Sequence, residues 1–180
     1  RDVYKRQGYN TSTTIMSAQD ELYKDRLIPI RDLGYANAAL LIARGDTRNA
    51  MSAANSTDRQ KYLSIALDQA TIVEKMIEAY SQTYLVQEEK DTLALFRHNW
   101  SAYLNQRDAA FAYARDMKDT EALRILDGDA RKSLAAVRKN LRSLIDINAR
   151  IAEALDAETD VKASAGVRLV LIMIIFGIVL

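Results

Sequence analysis

At 180 residues and a formal net charge of +1, the chain is sized for one domain, or one domain and an anchor, and carries no basic field that would recommend nucleic acid as a partner. It has no cysteine, which excludes disulfides, thiolate metal sites and cysteine nucleophiles, while 49% hydrophobic and 27% charged residues exclude disorder. One proline and six glycines are too few turn residues for a β-fold, and the wealth of alanine, leucine, arginine, lysine and glutamate reads as long helices.

Residues 1–7 (RDVYKRQ) are polar, fit no pattern that follows, and are read as a non-native leader. A first helix is predicted over about residues 11–54, with an inward stripe through Leu22, Pro29, Leu33, Ala36, Leu40, Ala43, Ala50 and Ala54. Pro29 removes a backbone donor inside it and should bend it. The polar break Asn55-Ser56-Thr57-Asp58 offers Thr57 or Asp58 as N-cap of a second helix, whose stripe is Tyr62, Ala66, Gln69, Val73, Met76 and Tyr80. The pattern lapses over 81–87. Glu88 and Glu89 then open a third helix at its positive end, with Leu93, Phe96, Trp100, Leu104, Phe111 and Ala114 inward.

Asp119 is placed to cap a short helical turn that Gly128 interrupts. The fourth long helix has the cleanest heptad of the chain: Leu134, Val137, Leu141, Leu144, Asn148, Ile151 and Leu155. Asn148 stands in that seam either as a core polar residue that fixes register or pairs across an interface, or as a ligand contact. From Leu169 to Leu180 no side chain is polar. The run is shorter than the ~20 residues that cross a bilayer, and a buried core helix can be this long. It follows the amphipathic helix without cap or turn, which favours a truncated transmembrane helix.

Four such helices with short connections make an all-α, antiparallel up-down-up-down four-helix bundle, the fourth helix continuing into the truncated membrane segment. Helices one and four, some 55–65 Å long at ~1.5 Å per residue, end on the same side, so a further membrane segment is expected before residue 8.

The order of motifs resembles a known family. Tyr23-Lys24-Asp25-Arg26-Leu27-Ile28-Pro29-Ile30, followed by Leu33, is similar to the stretch after the first membrane helix in the four-helix-bundle sensory module of methyl-accepting chemotaxis proteins. Glu88 with Phe96, Trp100 and Tyr103 resembles that family's third helix, and Leu126-Asp127-Gly128 with Leu141, Leu144, Ile145 and Asn148 its fourth. The likeness covers about residues 11–180. It implies a sensor in the periplasm (residues 8–165), tethered to the inner membrane by the segment starting at 166–180, homodimeric, and signalling through helix four. The same module occurs in sensor histidine kinases and cyclic-dinucleotide enzymes, and the output domain is not within this sequence.

No catalytic constellation stands out, so no enzyme is expected and no cofactor is assigned. His98 is the only histidine, and position 95 is Leu, so no Glu-x-x-His pair exists; neither a zinc helix nor a P-loop is present, and no metal ligands are assigned. His98 is read as structural or surface, with haem or ligand contact as the alternative. Arg44 and Arg48, one turn apart, share a face and could clamp the carboxylate of an amino or organic acid, at or near a helix-one dimer interface. The opposing reading is a solvated face paired with Asp46 or with acids on a neighbouring helix. Arg44, Arg48 and Asn148 are thus the candidate ligand contacts. Arg97, Arg138 and Arg142 are weaker candidates, and Tyr35, Tyr80 and Tyr103 are either pocket, core or rim. The tripeptides Arg44-Gly45-Asp46 and Asn55-Ser56-Thr57 are read as coincidental matches to adhesion and glycosylation signals. The rival to a sensor is a ligand-free, membrane-tethered spacer or dock for a solute-binding protein.

Overall fold

The computed structural model describes residues 13, 16, 17 and 19–178, with side chains to residue 161 and at residue 164; the proposed leader at 1–7 lies outside the described residues. Among the described residues every regular element is helical: a π-helical turn Tyr23–Leu27, then α1 (Ile28–Met51), α2 (Ser56–Ser81), α3 (Gln87–Arg115), α4 (Asp119–Asp127) and α5 (Asp129–Ile178). Residues 29–147 form one compact unit, and the described residues before and after them in sequence belong to another.

In the first unit α1, α2, α3 and α5 each turn one stripe inward, making the expected four-helix bundle. A large cluster joins Leu33, Ala36 and Leu40 of α1 to Val73, Ile77 and Tyr80 of α2, to Phe96, Trp100 and Tyr103 of α3, and to Leu134, Val137, Leu141 and Leu144 of α5. A second cluster gathers Ala50 and Met51, Leu63 and Ala66, Ala110, Phe111 and Ala114, and Ala122 of α4. Ile125 and Leu126, half-buried on α4, pack against both clusters. Phe96 stacks on Trp100 at 6.0 Å, and Trp100 meets Tyr103 at 5.5 Å, a ladder of rings at helical spacing.

Several local expectations are corrected. The α1 helix stops at Met51, so Ala54 is exposed rather than inward. The cap of α2 is Asn55, not Thr57 or Asp58: its Oδ1 accepts the Asp58 N–H at 2.8 Å, which places the break one turn earlier. The α2 seam runs Arg59, Leu63, Ala66, Ala70, Val73, Ile77 and Tyr80, so Tyr62, Gln69 and Met76 flank it, half-buried. Similarly Tyr103 is buried on α3 where Leu104 was expected to lead. At the start of α3, Glu89 reaches back to accept the Val86 N–H at 2.9 Å, satisfying a donor the helix leaves open.

The disturbance expected at Pro29 takes the form of the π-helical turn just before it, in which the Ile28 N–H reaches the Tyr23 carbonyl. Pro29 has no N–H for the Asp25 carbonyl and its ring crowds that carbonyl; widening the preceding turn relieves both. The α5 helix, whose seam begins at Leu134, continues without a break to Ile178. Among the described residues no helix is long and apolar enough to cross a membrane.

Candidate functional site

A cleft of about 230 Å³ opens in the side of the bundle, walled by α1, α3, α4 and the first turns of α5. The two sequence candidates on α1, Arg44 and Arg48, both line it, one turn apart as their spacing dictates. Two more arginines, Arg131 and Arg138, face it from α5. They are seven residues apart and flank Leu134, so the register that buries the seam also delivers both guanidiniums to one wall. Tyr103 of α3 and Leu126 of α4 complete the floor.

The charges are unevenly satisfied. Arg48 Nη2 donates to Asp127 Oδ1 at the end of α4, a pair half open to solvent. This is the acid on a neighbouring helix that the opposing reading anticipated; Asp46 instead accepts from Asn49 at 3.3 Å. Arg44 and Arg131 are exposed and have no ion-pair partner among the described residues, and the buried Nε of Arg138 has no acceptor. Tyr103 is buried; desolvation raises its pKa above the usual phenol value, against the opposing fields of Arg107 and Arg44 and with a further push from Asp108. It therefore stays a neutral phenol, able to donate a hydrogen bond. The assembly is suited to holding an anion: forks from two helices, a neutral donor, and an apolar floor.

Other candidates fall elsewhere. Arg142 lies with Arg138, Lys139 and Asp146 on an adjoining groove of α5. Arg97 sits 3.8 Å from Glu78 in an exposed pair, and His98 is exposed on α3. Tyr35 is exposed, whereas Tyr80 is core and donates to buried Glu89 at 2.6 Å. Asn148 belongs to the other unit. It is fully buried there, and its Oδ1 accepts from Nη1 of equally buried Arg26 in the π-helical turn at 3.3 Å. Among the described residues no cluster of His, Cys, Asp or Glu could hold a metal ion.

Arg131 is the charged residue of the cleft that the sequence did not single out; Thr47, Ala130 and Ala135 also line it unannounced. The signal of Arg131 was present in the spacing Arg131, Leu134, Arg138 on the flank of the clearest heptad. What no sequence window contains is the approach of that flank to Arg44 and Arg48, more than 80 residues away.

A second polar junction lies between Arg59 and Asp119. Arg59, buried at the start of α2, donates through Nη2 to Asp119 Oδ2 at 2.9 Å and through Nη1 to Asp119 Oδ1 and the Ala114 carbonyl. Asp119 was expected as a cap of α4, but the cap position is Lys118, without a side-chain bond, and the Asp119 carboxylate is turned to Arg59. The hydrogen bond from Arg59, more than its charge, holds the Asp119 carboxyl below the usual range against partial burial, and raises the pKa of Arg59 in turn. This junction ties helix ends together.

Compared with known proteins, residues 7–163 match a family model described as a four helix bundle sensory module for signal transduction. No curated protein matches the chain.

Proposed function

The chain belongs to the four-helix-bundle sensory modules for signal transduction, and from that premise we propose that it is the extracytoplasmic sensor of a transmembrane receptor of the methyl-accepting chemotaxis type. Its ligand is a small acid taken into the arginine-lined cleft. The observation that carries this reading is the convergence of Arg44 and Arg48 with Arg131 and Arg138 on one cavity. Like charges so gathered repel one another, and of the four only Arg48 has an ion-pair partner among the described residues.

In this mechanism the anion bridges α1 and α5. A sensor transmits only if its ligand binds two arrangements with different affinity. What supports this for the cleft is that its walls are separate helices, so that a bridging anion would favour the arrangement that brings their guanidiniums closer. The α5 helix then carries a small shift or rotation along its length to Ile178 and into the apolar run, which we propose to be the start of a membrane helix in the inner membrane, with residues 8–165 on the periplasmic side. Exposed Tyr35, Leu41 and Ile42 on α1 support a homodimer packed along that helix.

The test is a thermal-shift titration of the full chain with amino and organic acids, repeated for Arg44→Gln and Arg48→Gln. Both side chains are exposed, so the variants should fold. We expect a stabilising acid whose effect falls about tenfold or more in affinity in either variant, the loss of one charge-assisted fork. Binding that ignores both substitutions moves the site out of the cleft. No response to any acid favours the tethered spacer or dock.

A further inference from the structure

The residues that line the cleft include four arginines and no carboxylate. Asp127, the acid paired to a cleft arginine, is already held by Arg48. This imbalance bears on what kind of acid fits. An α-amino acid brings an ammonium with its carboxylate, and an ammonium has three donors and no acceptor. In this cleft it would find no carboxylate. The carbonyls of α1 and α5 are engaged along their helices, the Tyr103 ring is packed against Trp100, and the acceptors left are the neutral hydroxyls of Thr47 and Tyr103, weaker partners for a cation than a carboxylate. It would also stand among unpaired guanidiniums of its own sign. A solute with two anionic groups meets the opposite situation. One end fits the forks of α1, the other the forks of α5, and a short carbon chain between them rests on Leu126 and Leu134.

We infer that the cleft is selective for a small dianion lacking any cationic group, a short dicarboxylate or a phosphate monoester, and rejects zwitterionic amino acids. The inference rests on the sensory reading of the cleft and adds the charge class of its ligand.

Four probes separate the alternatives by calorimetric titration of the full chain at about pH 7.5, where a phosphate monoester is mostly dianionic. Succinate and glycerol phosphate are the dianions; aspartate is succinate with an added ammonium; butyrate keeps one carboxylate. We expect at least one dianion to bind, and aspartate and butyrate to bind about tenfold or more weakly, the scale of one lost or opposed charge-assisted contact. Arg131→Gln and Arg138→Gln should each weaken the dianion about tenfold. Arg131 is exposed and has no ion-pair partner among the described residues, so Arg131→Gln should leave the melting temperature of the free protein unchanged or higher, which a merely structural arginine would not do.

Aspartate binding as tightly as succinate, with loss of that binding in Arg44→Gln, overturns the dianion assignment while leaving the cleft as the sensory site. Dianion binding indifferent to Arg44→Gln, Arg131→Gln and Arg138→Gln overturns both. Failure of both dianions to bind at millimolar concentration overturns the inference alone if another acid still binds in an Arg44-dependent way, and overturns both if none does. Binding by only one of the two identifies whether the second anionic centre is a carboxylate or a phosphate.

Discussion

Asp119 has a side chain 36% exposed, yet it fixes a guanidinium that is 3% exposed and sixty positions away in sequence. Removing it strands a buried cation with only the Ala114 and Ala53 carbonyls to receive its protons. Asp119→Ala should therefore lower stability by about 2 kcal/mol, the cost of losing a charge-assisted bond to a buried donor. Urea unfolding of the two proteins measures it. The pH dependence has a definite sign. The folded pKa of Asp119 lies below its unfolded value, so the stabilisation is complete above about pH 4, the ordinary aspartate value, and is lost as pH falls through the depressed folded value. The gap between wild type and Asp119→Ala should hold constant from neutral pH down to about 4 and close below it. Asp119 also shows where residue-level reading stops. Its position before a helix obeys the capping rule, but a buried arginine from elsewhere in the chain competes for the same oxygens and wins.

Helix by helix, the 3.6-residue period was sufficient to find every long element, and heptad spacing placed the α5 seam from Leu134 through Val137, Leu141 and Leu144 to Asn148, whereas Ile151 and Leu155 beyond it are only half-buried. The period was less reliable where the inward stripe contains charge. On α2 the expected Ala66, Val73 and Tyr80 are buried, but Arg59, Leu63, Ala70 and Ile77 complete the seam, and Tyr62, Gln69 and Met76 sit on its flanks. Helix ends were legible only where the cap is local. The end of α3 has a conformation that its sequence conceals. The Lys118 N–H reaches the Tyr113 carbonyl at 3.0 Å and the Met117 N–H the Ala114 carbonyl at 3.1 Å, closing the helix in the pattern that needs a left-handed residue between them. That residue is Met117, at φ 60°. A β-carbon there costs roughly 1–2 kcal/mol, offset in part because glycine loses more freedom on folding. Met117→Gly should raise stability by about 0.5–1 kcal/mol, read as a higher denaturation midpoint with an unchanged slope. At Gly128 a β-carbon would lie 2.8 Å from the Arg124 carbonyl, so the step from α4 to α5 admits no such addition without a shift.

At the scale of the whole molecule, fold class and family were legible and the cleft was not. Periodicity reports which face of a helix is buried, and the order of motifs reports kinship. Neither reports that the polar flanks of α1 and α5 meet across a gap. Because the cleft is built from several helices of one core, a bound ligand stabilises the bundle as a unit. At a hundredfold excess over Kd the linkage is about 2.7 kcal/mol, which for a unit of this size is a rise in melting temperature on the order of 10 °C. A dianion that saturates the cleft should produce that rise in a calorimetric scan, and Arg44→Gln, binding about tenfold more weakly, should cut it to about half at the same concentration. The position of α4 adds a consequence. This nine-residue helix ends in Asp127, the carboxylate clipped to Arg48, and the preceding Leu126 touches the cleft and both core clusters. If the cleft takes an anion as proposed, Asp127 is a tethered rival for the guanidinium which that anion seeks. On that proposal the threshold of response is a contest between solute and tether, with the short helix as the latch that the winner holds or releases.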